Sequence, residues 1–202
     1  YEIYLSTAKK YHFKCPVCSY KLIQPGINSL VDTDEELSRE LSRNEPRKPY
    51  ELHKYSKYHA LWECPICHGD YLYPINERNV GDKNCPYCNN RRVLAHFNSL
   101  LAKDNKLAKE WSSSNELAAD QVLRTTIHYG LWECPKCHGE YSYSIKDRYV
   151  GDNSCPYCNN QKPLAGYNTL KVKCEDLMRE WNYRSNYLII NPDSILPTYS
   201  EE

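Results

Sequence analysis

Large apolar side chains are scarce in this sequence: its 202 residues include two Phe and one Met, and mean hydropathy is −0.78. That shortage excludes one large core, because most of the aromatic content is the 19 Tyr, each with a polar end. Small modules short of apolar volume commonly lean on metal for stability. An excess of either charge is also lacking. The 26 basic and 26 acidic side chains cancel, so no global field announces a nucleic-acid or membrane partner. There is no 18-residue apolar run and no charged-then-apolar leader, so neither a membrane span nor a signal peptide is present in these residues. Catalytic constellations are missing too. There is no Gly-rich phosphate loop and no His-Glu-x-x-His, and Pro192-Asp193 is not followed by the Glu-x-Lys of a restriction-type nuclease centre. The expectation is a non-enzymatic segment, any catalytic domain lying outside it.

Cysteine is plentiful. Of eleven, ten sit in Cys-x-x-Cys pairs, which is metal-ligand rather than disulfide spacing and points to a reducing, cytoplasmic setting. Cys134/Cys137 and Cys155/Cys158 are separated by 17 residues, and Cys64/Cys67 and Cys85/Cys88 repeat them 70 positions earlier. Four thiolates at that spacing close a tetrahedral Zn²⁺ site, so two complete zinc sites are expected. Cys15/Cys18 fall 70 positions before Cys85/Cys88. They read as the second half of a further module, the first half of which lies upstream, with a free dithiol as the other reading. Cys-Pro-Tyr-Cys is also a glutaredoxin-like active-site sequence, but that chemistry needs a thioredoxin-type sheet for which there is no room.

The same register divides the chain. Residues 1–30 are the second half of a first zinc module, 31–59 a helix and linker, 60–100 a second zinc module, 101–129 a helix and linker, 130–170 a third zinc module, and 171–202 a helix and the start of the next linker. Both ends are expected to fall inside a repeat. Asn-Ser or Asn-Thr at 28–29, 98–99 and 168–169 precedes a periodic apolar run and predicts a helix start. The runs are Leu30, Leu37 and Leu41, then Leu100, Leu107 and Trp111, then Leu170, Cys174, Leu177 and Trp181, each on one helix face. Cys174 thus reads as a small buried apolar side chain. Within a module, Leu-Trp-Glu predicts a strand into the first knuckle. Tyr71, Tyr73 and Ile75 (Tyr141, Tyr143, Ile145) predict a second strand, residues 79–82 a turn, and Pro after Cys85 and Cys155 a short helix or turn. The fold class expected is small, metal-stabilised α+β: tandem treble-clef or zinc-ribbon modules, each a β-hairpin plus a short helix, joined by amphipathic helices.

These residues resemble a bacterial family of tandem zinc-ribbon (treble-clef) repeats with the pattern Trp-x-Cys, a knuckle, Ile-x-x-Arg, Gly, Cys-Pro-x-Cys, Asn-x-Leu and Glu-Trp. Here the pattern is met by Trp132, Cys134, Ile145, Arg148, Gly151, Cys155, Asn168, Leu170, Glu180 and Trp181. The preceding copy meets it with Trp62, Cys64, Ile75, Arg78, Gly81, Cys85, Asn98, Leu100, Glu110 and Trp111. The family often carries Gly-His at the knuckle, whereas this chain has Cys67-His68-Gly69 and Cys137-His138-Gly139. The second ligand is therefore Cys or His, and the tighter Cys-x-x-Cys spacing favours Cys. The resemblance implies a nucleic-acid-associated module, since such repeats are similar to those joined to endonuclease domains in restriction-like and mobile-element proteins. The partner expected is nucleic acid, duplex DNA, with a fused or associated nuclease and no membrane.

The basic side chains that repeat are the candidates for phosphate contact: Arg78 and Arg148, Arg91 and Arg92 with Lys162 in part, and Lys146 and Lys83 on the same segments. For Arg78 and Arg148 the alternative is an ion pair with Glu77, Asp82, Asp147 or Asp152, or backbone donation beside the metal. The tyrosines at 71/73 and 141/143 either stack on bases or cover the core. A zinc-stabilised scaffold for protein partners is the second functional reading, compatible with neutral charge and surface Tyr.

Overall fold

The computed structural model describes residues 15–79, 85–151, 155–186 and 189–197. They fall into two compact units, Tyr1–Arg92 and Val93–Glu202. The divide falls four residues after the first Cys-Pro-Tyr-Cys, Cys85–Cys88. In each unit the polar linker and the zinc hairpin after it belong to one body.

Unit 1 contains α1 (Leu30–Thr33), α2 (Glu35–Arg39), a 3₁₀ turn (Pro49–Glu51), β1 (His59–Glu63), β2 (Asp70–Pro74) and α3 (Ile75–Asn79). Unit 2 runs through α4 (Leu100–Lys103), α5 (Asn105–Ala108), β3 (Tyr129–Glu133), β4 (Glu140–Ser144), α6 (Ile145–Val150), α7 (Leu170–Lys173), α8 (Glu175–Glu180) and α9 (Tyr183–Asn186). Each amphipathic helix expected from the periodicity is broken into two short ones. The breaks fall at Asp34, Asp104 and Cys174, whose φ of −160°, −147° and −131° is not helical. The Asp side chain is the cause in the first two copies. Asp34 and Asp104 accept from the backbone N–H of Leu37 and Leu107, at 2.9 Å each, and so start a second helix where the first would have run on. Ser29, Ser99 and Thr169 are the N-cap residues of the preceding helices.

The hairpins are antiparallel, with Trp62 opposite Tyr71 and Trp132 opposite Tyr141. Both tryptophans are fully buried, and their indole N–H groups donate to the Tyr73 and Tyr143 carbonyls at 2.9 and 3.2 Å. Ile75 and Ile145, expected at the ends of the second strands, instead open α3 and α6 and point into the core. Tyr71 and Tyr141 are buried, which leaves them covering the core and unavailable to a base.

A third, short strand completes each sheet and comes from the helix upstream. In unit 1, Leu41 bridges to Trp62, Glu63 N–H donates to Glu40 O at 2.8 Å, and Ser42 N–H donates to Leu61 O at 2.9 Å. Unit 2 repeats this with Trp111 against Trp132, Glu133 to Glu110 at 2.7 Å and Ser112 to Leu131 at 3.0 Å. The core of unit 2 gathers Leu100, Leu107, Val122, Trp132, Tyr141 and Ile145 beside Cys134 and Cys155, so helix, linker and hairpin bury their apolar faces together. The pair at the third strand differs in size between units. Trp111 lies over Gly130, and in unit 1 the same two positions hold Leu41 and Ala60.

Candidate metal centres

The first knuckle of each module is closed by backbone. Cys64 N–H donates to Gly69 O and His68 N–H to Cys64 O, at 3.1 and 2.8 Å, and Cys134/Gly139 and His138/Cys134 repeat those distances. Closing so tight a loop places His68 and His138 in the left-handed region, φ 56° and 55°. Their rings are turned outward, more than 70% exposed, with Nδ1 3.4 and 3.2 Å from Glu63 and Glu133. They are not ligands, and the second ligand of each knuckle is Cys67 or Cys137.

In the second knuckle, Pro86 O accepts from Arg91 N–H and Arg92 N–H, and Pro156 O from Gln161 N–H and Lys162 N–H, all at 2.8–3.1 Å. Asn90 and Asn160 sit at φ 53° and 52°. Cys15/Cys18 build the same turn: Pro16 O accepts from Lys21 and Leu22 N–H, and Tyr20 is at φ 57°. A tyrosine from each second knuckle ties it to the hairpin, Tyr87 OH donating to Asp70 O and Tyr157 OH to Glu140 O, at 2.8 and 2.7 Å.

Missed in the sequence was the asparagine of Asn-x-Leu, which does not serve the helix start. Asn168 is 1% exposed. Its Nδ2 donates to Tyr157 O and Lys162 O at 2.7 and 3.0 Å, and its Oδ1 accepts from Leu164 N–H at 2.7 Å. Asn28 does the same around Cys15/Cys18, donating to Val17 O and Leu22 O. The signal available was the invariance of Asn in three copies otherwise variable at that connector.

Together the knuckles bring four sulfurs to one point, twice. Cys64–Cys88 and Cys67–Cys85 are 3.6 Å apart, Cys134–Cys158 3.7 Å and Cys137–Cys155 3.6 Å, with each set of four inside 4.8 Å. A tetrahedron of thiolates about 2.3 Å from Zn²⁺ has an edge of about 3.8 Å, while a disulfide needs about 2.05 Å. All eleven cysteines are free thiols. Electrostatics agree. Burial opposes ionisation of Cys134, but the N–H groups of Cys137 and Lys136 and the neighbouring thiols outweigh it and bring the pKa down to about 7. Burial and the surrounding Cys155, Cys134 and Cys158 sulfurs push Cys137 up to about 12, against the Gly139 N–H. One thiolate thus forms readily and the next resists, so a cation is required to hold four.

The donor set and edge lengths fit Zn²⁺. A family described as "Probable Treble clef zinc finger domain" matches residues 37–91 and 107–161, more than half of the sequence. The chain belongs to that family. No curated protein matches it. Both matched segments of these treble-clef modules begin at the buried Leu37 or Leu107 of the upstream helix, which is where the third strand and the core also place the start of each module. When bound, zinc supplies cross-linking of the two knuckles. No helix among the described residues is long and apolar enough to cross a membrane.

The structure changes the reading of two arginines. Arg78 and Arg148 side chains are 2% and 9% exposed and form ion pairs with Glu40 and Glu110. Both lie near a tryptophan ring, 5.1 Å from Trp62 and 5.7 Å from Trp132, and Arg148 Nε donates to Tyr141 OH at 2.9 Å. A guanidinium enclosed this way has no surface to offer a phosphate, so its expected role there is corrected: it fastens the third strand to the hairpin. The ion-pair partner seen for each is the Glu of the upstream Glu-Leu or Glu-Trp, Glu40 and Glu110, while Asp82 and Asp152, two of the expected partners, lie outside the described residues. Arg91, Arg92, Lys146 and Lys162 are exposed, and Lys83 lies outside the described residues.

Proposed function

We propose that this zinc-binding tandem module binds nucleic acid, duplex DNA in particular, as the non-catalytic targeting part of a larger defence or mobile-element nuclease. The observation that supports it is local: exposed basic side chains follow the rigid second knuckle in each copy, Lys21, then Arg91 and Arg92, then Lys162, and Lys146 is exposed on α6 nearby in sequence. Basic groups held on metal-fixed turns meet phosphates with little further loss of side-chain freedom, and tandem units on one strand gain from high effective concentration. Titration of zinc-loaded protein into a labelled 20-base-pair duplex across a salt series tests it. Counterion release requires log K to fall with log salt in proportion to the phosphates contacted. Absence of binding at about 20 mM salt would refute it.

A scaffold reading is favoured by one observation. Unit 1 exposes Ile66 and Leu72 on its zinc hairpin, 70% and 64%, where unit 2 has Lys136 and Ser142. Apolar groups at those positions suit a protein contact.

A further inference from the structure

The two units carry the same zinc centre, so positions 70 apart compare one site with itself. Beside the first knuckle of unit 2 lies an open cleft of about 380 Å³ lined by Lys106, Lys109, Glu110, Glu133, Pro135 and His138. Its lining holds two ammonium groups and two carboxylates, but one of the carboxylates is neutralised by an arginine behind it, which leaves a net positive charge. Glu110 is committed to Arg148, and Glu133 accepts from or faces His138 Nδ1 at 3.2 Å. Lys106 and Lys109 are exposed on α5 and its C-cap, and among the described residues neither ammonium pairs with a carboxylate. Lys136 is exposed in the knuckle between Pro135 and His138 but is not one of the residues that line the cleft.

In unit 1 the corresponding positions hold Glu36 for Lys106, Arg39 for Lys109 and Ile66 for Lys136. Arg39 is already paired with Glu35 at 2.7 Å. The same shell of backbone is therefore basic in one copy and neutral to acidic in the other. A polyanion discriminates between them, because each unpaired ammonium that meets a phosphate releases a condensed counterion and one paired within the protein does not.

We infer that this cleft, walled by Lys106 and Lys109 on the helix side and by the Pro135–His138 knuckle on the other, is a further phosphate-backbone contact of the chain, additional to the basic groups after the second knuckles, and that the matching face of unit 1 takes no part in it. The site rests on the nucleic-acid reading above and gives it a location. Its chemistry is sequence-independent, with two ammonium groups, Lys106 and Lys109, on one wall of the cleft. Because unit 1 folds with Glu, Arg and Ile at these three positions, the fold tolerates loss of the lysines.

The test uses the full zinc-loaded chain and the same 20-base-pair duplex across a salt series. Lys106→Ala with Lys109→Ala should weaken binding roughly tenfold at low salt and flatten the log–log salt slope by about two, with zinc content unchanged. Arg39→Ala, at the matching place in unit 1, should leave affinity and slope as in the wild type. If the wild type binds and the lysine variant keeps its slope, or Arg39→Ala flattens it, the cleft assignment is overturned while the nucleic-acid reading stands. If the wild type fails to bind at low salt, both fall.

Discussion

Replacing Gly130 by Ala should destabilise unit 2 by about 1–3 kcal/mol, the range for forcing an extra methyl into a packed site. The figure comes from the third strand. A Cβ at Gly130 would fall well under 3.0 Å from the six-membered ring of Trp111, a ring fixed from two sides. Its Nε1–H donates to Leu117 O at 2.8 Å, and it meets Trp132 edge-on with centroids 5.0 Å apart. Withdrawal of the half-buried ring would break that hydrogen bond or that ring contact. Gly130 is not among the residues with positive φ, so backbone strain adds nothing and the penalty is one of volume. Unit 1 shows the other solution, Ala60 beside Leu41. In a Trp111→Leu background the added methyl should therefore be neutral or stabilising by up to about 1 kcal/mol, the ordinary gain when Ala replaces Gly at a compatible φ. The assay is thermal unfolding in excess zinc of the wild type, both single variants and the double. The difference between the two backgrounds corresponds to a coupling of about 1–4 kcal/mol, which a double-mutant cycle resolves. Equal cost of Gly130→Ala in both backgrounds would refute the reasoning, since it would place the penalty somewhere other than the Trp111 ring.

Glu110→Gln should cost about 3–5 kcal/mol by leaving Arg148 buried beside Trp132 without its counter-charge; loss of unit 2 structure by NMR, with unit 1 resonances unmoved, checks it. The double variant Arg78→Ala/Arg148→Ala should lower thermal stability and leave any DNA salt slope intact, the opposite of what a phosphate contact predicts. Asn168→Asp should weaken zinc retention at Cys155/Cys158, because a carboxylate cannot donate to Tyr157 O and Lys162 O; chelator competition measures it, and wild-type retention would sink the pinning role. Zinc binding displaces thiol protons, and with Cys137 at about 12 and Cys134 at about 7 the metal-free centre keeps most of its protons at neutral pH. Affinity should therefore rise with pH and fall on acidification by more than one power of proton concentration. A chelator-competition series from pH 8 to 5 with a flat profile would contradict the four-thiolate centre.

The zinc ligands were legible in the sequence because spacing is all a Cys₄ knuckle needs, and a 70-residue repeat states it twice. Hairpins and capped helices were legible for a similar reason: their signals are local. What escaped was set by contacts distant in sequence. Arg148 and Glu110 stand 38 positions apart, so the arginine's burial is invisible until the third strand is in place. Asp104 reads as one polar position on a helix, and only its bond to Leu107 N–H turns it into a break. The carboxamide of Asn168 looks like a cap beside Thr169, yet it reaches back 11 positions to the Tyr157 carbonyl.

The strand contributed by Glu40–Ser42, and again by Glu110–Ser112, bears on how such a protein can be cut, duplicated or shuffled. A breakpoint drawn just before Leu-Trp-Glu-Cys, where the motif is most conspicuous, would separate each hairpin from the residues that close its sheet and neutralise its arginine. It would yield a fragment with all four cysteines and an open edge, a template for pairing with other chains. A breakpoint just after Asn98, the counterpart of Asn168, leaves the sheet, the ion pair, the metal ligands and the core residue Leu100 of the downstream copy on one piece. Duplication at that point copies a finger with its sheet closed and its arginine neutralised, and the same point suits a scheme that grafts one finger onto another array.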